Sequence, residues 1–238
     1  MKYCLTLILS LLFFLPASRM LAQQKIVIDG LLTNVQEGAH ISLMKEEGSV
    51  GSEVAKDSVN HGHFHIEYMP DDSLLGNYSI MSFDDDFPSM SLKLWAKAGH
   101  PVQIKGDNKL VYTWQVKSDI PEQQEWAYFV SANKTLWNRY QALTILRKGN
   151  IHTLVYASVS PEIKKSARVT VDSLDKITDA LQYKIQANNL ALLGNGKMTP
   201  VRLGVLNDVA NLIKWNHIES FKVPVTKIFN NLSPELKN

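Results

Sequence analysis

The chain has 238 residues, of which 45% are hydrophobic and 20% charged, and this ordinary composition excludes a disordered or collagen-like protein. Its single cysteine, Cys4, excludes an internal disulfide bond, a Cys-x-x-Cys redox pair and a zinc site built from several cysteines. The 25 basic and 23 acidic residues nearly balance, so no cationic surplus is available for binding nucleic acid or an anionic membrane.

Residues 1–22 have the pattern of a secretory signal peptide. Lys2 gives a basic start, an apolar stretch extends from Leu5 to Leu15, and Ala22 is a suitable cleavage point. The stretch is shorter than the ~20 apolar residues that a membrane-spanning helix needs. We therefore expect export to the periplasm or cell envelope, with no membrane-spanning segment after cleavage. Cys4 would leave with the signal, so the predicted mature chain contains no cysteine.

Residues 23–118 are predicted to form an all-β domain. Apolar and polar residues alternate in segments such as 40–44, 63–68 and 91–95, which is typical of strands that cover a core with one face. Gly, Pro, Asn and Asp clusters separate these segments, so seven or eight short strands are expected. Because no helical stretch intervenes to connect parallel strands, the pattern favours an antiparallel sandwich or barrel.

Residues 119–238 are predicted to form a helical region, because the spacing of apolar residues changes from two to three or four. A first helix is predicted from Pro121 to a basic last turn and a glycine stop at Gly149. The fold class is therefore α+β, with an antiparallel β-sandwich or barrel-like module followed by three to four helices. Further helices are predicted over 160–193, with a kink or break near Asn188-Asn189, from Thr199 to about 215, and over 224–232, whereas 151–158 fits either a strand or a helix.

Several segments of the chain share the glycines, asparagines and alternating apolar residues of one known family. These segments are 26–30 (IVIDG), 38–43 (GAHISL), 57–66 (DSVNHGHFHI), 92–99 (LKLWAKAG), 102–107 (VQIKGD), 199–200 (TP) and 232–237 (LSPELK). They resemble the domain of unknown function, with its following helical segment, at the N-terminus of many exported thioredoxin-like thiol-disulfide oxidoreductases of Gram-negative bacteria. The resemblance implies a small all-β module followed by helices.

The resemblance does not extend to the chemistry of that family. Its complete members continue into a thioredoxin domain with a Trp-Cys-x-x-Cys site, and this chain ends where that domain would begin. Thiol-disulfide exchange needs an attacking thiolate and a resolving cysteine, and the predicted mature chain has neither. No catalytic residue and no cofactor are therefore expected.

Two functions follow from these observations. The first is an exported, non-catalytic binding or interaction module, with another envelope protein or a thioredoxin-like chain as a possible partner. The alternative is a truncated or split part of a thiol-disulfide oxidoreductase that works only beside a separate thioredoxin domain. The second idea rests on the end of the chain, where Ser233-Pro234-Glu235 resembles the start of a helix just before Asn238.

Three closely spaced histidines are the strongest candidates for metal ligands in the sequence. His61, His63 and His65 occupy every second position, so in a strand they would share one face, with neighbours about 6.5–7 Å apart. Two such imidazoles could hold Zn²⁺, Ni²⁺ or Cu²⁺ with help from a nearby acid. Polar residues on a solvated face, with adventitious metal binding, are the simpler interpretation.

Three aromatic residues of the helical region allow two interpretations. Trp126, Trp137 and Tyr140 fall at helical spacing, which usually places such residues in a hydrophobic core. The same stripe could instead line a groove for a ligand.

Overall fold

Two four-stranded sheets form the first part of the computed structural model, which describes residues 25–47, 50–194, 196–216 and 218–237. The predicted signal peptide, with Cys4, lies outside these ranges. The strands are β1 (Ile26–Leu32), β2 (His40–Glu47), β3 (Val50–Ser58), β4 (His63–Tyr68), β5 (Gly76–Met81), β6 (Leu92–Ala96), β7 (Val102–Gly106) and β8 (Gln115–Lys117). One sheet has the order β4-β1-β7-β8 and the other β3-β2-β5-β6, and both contribute to one buried core, which confirms the predicted β-sandwich.

One strand pair departs from the antiparallel prediction. β1 and β7 run parallel, with Ile28 beside Val102 and Gly30 beside Ile104. The sequence offers no helix that could connect two parallel strands. The strands that lie between β1 and β7 in the chain make this connection instead, because the chain passes through the other sheet before it returns.

Side-chain alternation gives the sheet that contains β4 one buried and one exposed face. In β4, Phe64 and Ile66 are buried, whereas His63 and His65 are exposed. Phe64 lies opposite Gly30 of β1, and a Cβ atom at Gly30 would overlap the phenyl ring. The glycine therefore allows the ring to pack directly against the backbone of β1.

Five helices follow the sandwich. They are α1 (Pro121–Ala132), α2 (Lys134–Val155), α3 (Pro161–Leu193), α4 (Pro200–Asn216) and α5 (Lys222–Asn230), with 3-10 turns at Val111–Thr113, Glu219–Phe221 and Pro234–Leu236. Apolar residues of α1, α3 and α4, including Phe129, Leu193 and Val205, form a second core. Within the described ranges, no helix has both the length and the apolar character that crossing a bilayer requires.

The prediction of one helix from Pro121 to Gly149 is wrong in two respects. The helix is interrupted at Asn133, whose side-chain amide donates to the Phe129 carbonyl oxygen at 3.3 Å and so competes with the helical backbone. The second helix passes through Gly149 and ends at Val155, which makes most of segment 151–158 helical.

The long helix α3 follows its predicted boundaries and is not broken near Asn188-Asn189. The side-chain oxygen of Ser160 accepts from the backbone N–H of Ile163 at 3.4 Å, as the predicted cap requires. Asn188 and Asn189 each make a 2.9 Å side-chain hydrogen bond to Asn133. These bonds direct both side chains toward a residue between α1 and α2, while the helix continues to Leu193.

Candidate ligand-binding cleft

Two buried glutamines join the helices to the sandwich. Gln123 of α1 accepts from the backbone N–H of Trp95 at 2.8 Å, and Gln141 of α2 accepts from the backbone N–H of Tyr112 at 2.9 Å. The two glutamines are 1% and 0% exposed, so water cannot replace these bonds. The junction between the two parts is therefore held in a defined geometry.

A cleft opens at this junction. It consists of two adjoining cavities of about 220 and 530 Å³, which share Tyr112, Trp126 and Asp208 as lining residues. The sandwich contributes lining residues from β2, β5 and β6, and helices α1, α2, α3 and α4 contribute the others. Clefts between structural layers are common places for small ligands. The lining includes Glu46, Asn77, Ser91 and Lys93 from the sandwich, and Trp137, Gln182, Gln186, Asn189 and Asn211 from the helices.

Aromatic rings form one side of the cleft. The ring centre of Tyr112 lies 6.5 Å from that of Trp126 and 4.5 Å from that of Trp137. The ammonium group of Lys93 lies 4.7 Å from the centre of the Trp126 ring, a favourable cation–π distance. The buried indole N–H of Trp126 finds no acceptor in the described part of the chain. Burial raises the pKa of the Tyr112 hydroxyl, so this group stays protonated at physiological pH.

Asp208 of α4 is an acidic residue that lines both cavities of the cleft. Desolvation by the surrounding protein raises the pKa of its carboxyl group, although Lys93 partly offsets this effect and the cleft mouth leaves the residue open to solvent. A carboxyl group that lines a cleft and has a perturbed pKa is a candidate functional group.

The structure separates the three aromatic residues that share a stripe in the sequence. Trp126 and Trp137 line the cleft, but Tyr140 faces a different cavity of about 580 Å³ beside Arg147 and Asp175. Sequence reasoning missed Tyr112, Lys93 and Asp208, which lie on a 3-10 turn, a strand and a helix. No local pattern connects these three segments, and only the packing of the two parts brings them together.

The prediction that His61, His63 and His65 share one face of a strand is wrong for His61. His61 lies in the turn before β4, with a φ angle of 50°, and its backbone N–H donates to the Glu37 carboxylate. Only His63 and His65 lie on the exposed face of β4. The described residues contain no group of three or more His, Cys, Asp and Glu side chains placed to hold a metal ion.

The imidazole ring of His65 contacts two carboxylates. Its Nδ1 atom lies 2.7 Å from Asp29 Oδ1, and its Nε2 atom lies 3.7 Å from Glu67 Oε1. The hydrogen bond with Asp29 is the main cause that raises the pKa of the imidazole. A raised pKa opposes metal binding, which requires the neutral ring.

We expect Asp29→Asn to lower the pKa of His65 toward the ordinary value of about 6.5. Because the folded pKa is raised, the stabilisation by this pair is complete below about 6.5 and is lost as pH rises through the folded pKa. NMR titration of the histidine ring protons measures the pKa directly. Urea unfolding at pH 5.5 and 8.5 should show a smaller loss of stability with rising pH in the variant than in the parent protein. The exposed change Asp172→Asn is the control, and a His65 pKa that Asp29→Asn leaves unchanged would contradict the assignment.

No family model, curated protein or solved structure matches this chain.

Proposed function

We propose that the protein is an exported, non-catalytic binding protein that holds a small ligand in the cleft between its sandwich and its helices. The observation that carries the proposal is the cleft itself. Aromatic rings and the carboxyl group of Asp208 meet there at a junction fixed by two buried glutamines. A preformed site of this kind binds without the cost of ordering its walls.

Two features of the sequence support export and the absence of thiol chemistry. Residues 1–22 have the basic start and apolar stretch of a signal peptide. The single cysteine, Cys4, falls within that segment, so the predicted mature chain lacks the thiol pair that the resembling oxidoreductases use. A binding role for the N-terminal module and its helices is compatible with both features.

Blocking the cleft tests the proposal. Asn211 lines the cleft from α4, and Asn207 lies on the exposed surface of the same helix. The mature chain is screened by thermal shift against saccharides, amino acids, dipeptides, nucleosides and polyamines. We expect at least one class to raise Tm, Asn211→Trp to abolish that rise, and Asn207→Trp to preserve it. The proposal fails if no class raises Tm, or if Asn211→Trp binds as well as the parent protein.

A further inference from the structure

The charges in the cleft do not favour a strongly charged ligand. Among the described lining residues, Lys93 is the one base, and its ammonium group already lies over the Trp126 ring. Of the two acids, Glu46 accepts a hydrogen bond from the Ser79 hydroxyl, and Lys93 acts electrostatically on Asp208. A phosphate would meet two carboxylates, and a polyamine would meet the Lys93 ammonium beside an Asp208 carboxyl group whose ionisation burial disfavours. The charge pattern therefore favours a neutral ligand.

Besides these charged groups, side-chain amides line the cleft, and amides both donate and accept hydrogen bonds. Asn77 of β5 lines the larger cavity, whereas Gln182 of α3 and Asn211 of α4 line the smaller one. Their side chains make no hydrogen bond to another residue of the described ranges. Each amide offers an N–H₂ donor beside a carbonyl acceptor. Hydroxyl groups also donate and accept, so a ligand with several hydroxyls suits such amides.

The aromatic side of the cleft matches the other face of such a ligand. The rings of Tyr112, Trp126 and Trp137 carry a negative π-face, which attracts weakly positive C–H groups. Saccharide rings combine an apolar C–H face with a rim of hydroxyls. The lining of the cleft likewise combines aromatic rings with side-chain amides.

We infer that the ligand of the cleft is a neutral saccharide, an inference that rests on the proposed binding function. An extended peptide fits less well. Peptides commonly bind by adding a strand to a free sheet edge. At the edge strand β6, however, Gln123 already accepts from the backbone N–H of Trp95.

Titration calorimetry with cellobiose, maltose and N,N′-diacetylchitobiose tests the inference on the mature chain. At least one of these saccharides should bind. Loss of one good hydrogen bond should weaken its binding about 3–10-fold, so we expect this effect for Gln182→Ala and for Asn211→Ala. Gln124→Ala and Asn207→Ala, which alter exposed amides outside the cleft, should leave Kd unchanged.

The outcomes separate this inference from the proposed function. If saccharides do not bind but dipeptides or amino acids do, and Asn211→Trp prevents it, the ligand class is wrong and the cleft remains a binding site. If saccharides bind with equal affinity to the cleft variants and the controls, the saccharide site is elsewhere and the inference fails. If no compound of any class binds, both the inference and the proposed function fail.

Discussion

Replacing Arg202 by Met is expected to lower the free energy of unfolding by about 2–3 kcal/mol, because it leaves the partly buried carboxylate of Glu125 without its charged partner, although Thr199 still donates a hydrogen bond to it. Arg202 donates from Nε to Glu125 Oε1 at 2.7 Å and from Nη1 to the carbonyl oxygen of Leu192 at 3.2 Å. The two charged side chains are only 14% and 24% exposed, so water compensates little. Urea denaturation monitored by circular dichroism measures the change.

A double-mutant cycle identifies the origin of this loss. Glu125→Gln removes the charge from the partner, so the double variant should be more stable than the sum of the single effects predicts, by about 0.5–3 kcal/mol. Arg139→Met, at an exposed position of α2, should change stability by no more than about 0.5 kcal/mol. Additive effects in the cycle would show that Arg202 acts through packing on the Phe129 ring, whose centre lies 5.7 Å away.

The ion pair matters for the cleft because of the elements that it connects. Glu125 precedes Trp126 on α1, and Arg202 lies at the start of α4, which carries Asp208 and Asn211 further along. The pair thus fixes the aromatic wall of the cleft relative to its polar wall. Arg202→Met should therefore weaken ligand binding as well as stability, although Arg202 itself does not line the cleft.

The strands of the sandwich were predictable because they depend on patterns among residues that are close together in the sequence. Alternation in segments such as 63–68 determines which face of a strand is buried, and glycine and proline clusters mark the turns. The start of α3 was equally predictable, since Ser160 caps it with a bond to a residue three positions away. Each of these features depends only on neighbours in the sequence.

The features that sequence reasoning missed depend on distant residues. Asn133 interrupts a helix while its side chain binds Asn188 and Asn189, 55 and 56 positions away, and no local pattern reveals this network. The parallel pairing of β1 with β7 depends on the path of the chain through the other sheet. The cleft likewise exists only after Gln123 and Gln141 have joined the helices to the sandwich.

Gln141→Leu is expected to lower the free energy of unfolding by about 1–3 kcal/mol, because it leaves the backbone N–H of Tyr112 without its acceptor. The amide nitrogen of Gln141 also lies 3.5 Å from the Thr113 hydroxyl, so the substitution affects two positions of the same 3-10 turn. Because Tyr112 lines both cavities of the cleft, ligand affinity should fall together with stability. Urea denaturation and the thermal-shift screen measure the two effects on the same variant.

The matched control is Gln103→Leu, which makes the same chemical change at an exposed position of β7. It should change the free energy of unfolding by no more than about 0.5 kcal/mol and leave ligand binding intact. If Gln141→Leu proves as harmless as Gln103→Leu, the hydrogen bond to Tyr112 does not hold the helices to the sandwich. If it destabilises the chain but leaves ligand affinity unchanged, Tyr112 is part of the junction and not of the binding surface, and the role of the aromatic wall would pass to Trp126 and Trp137.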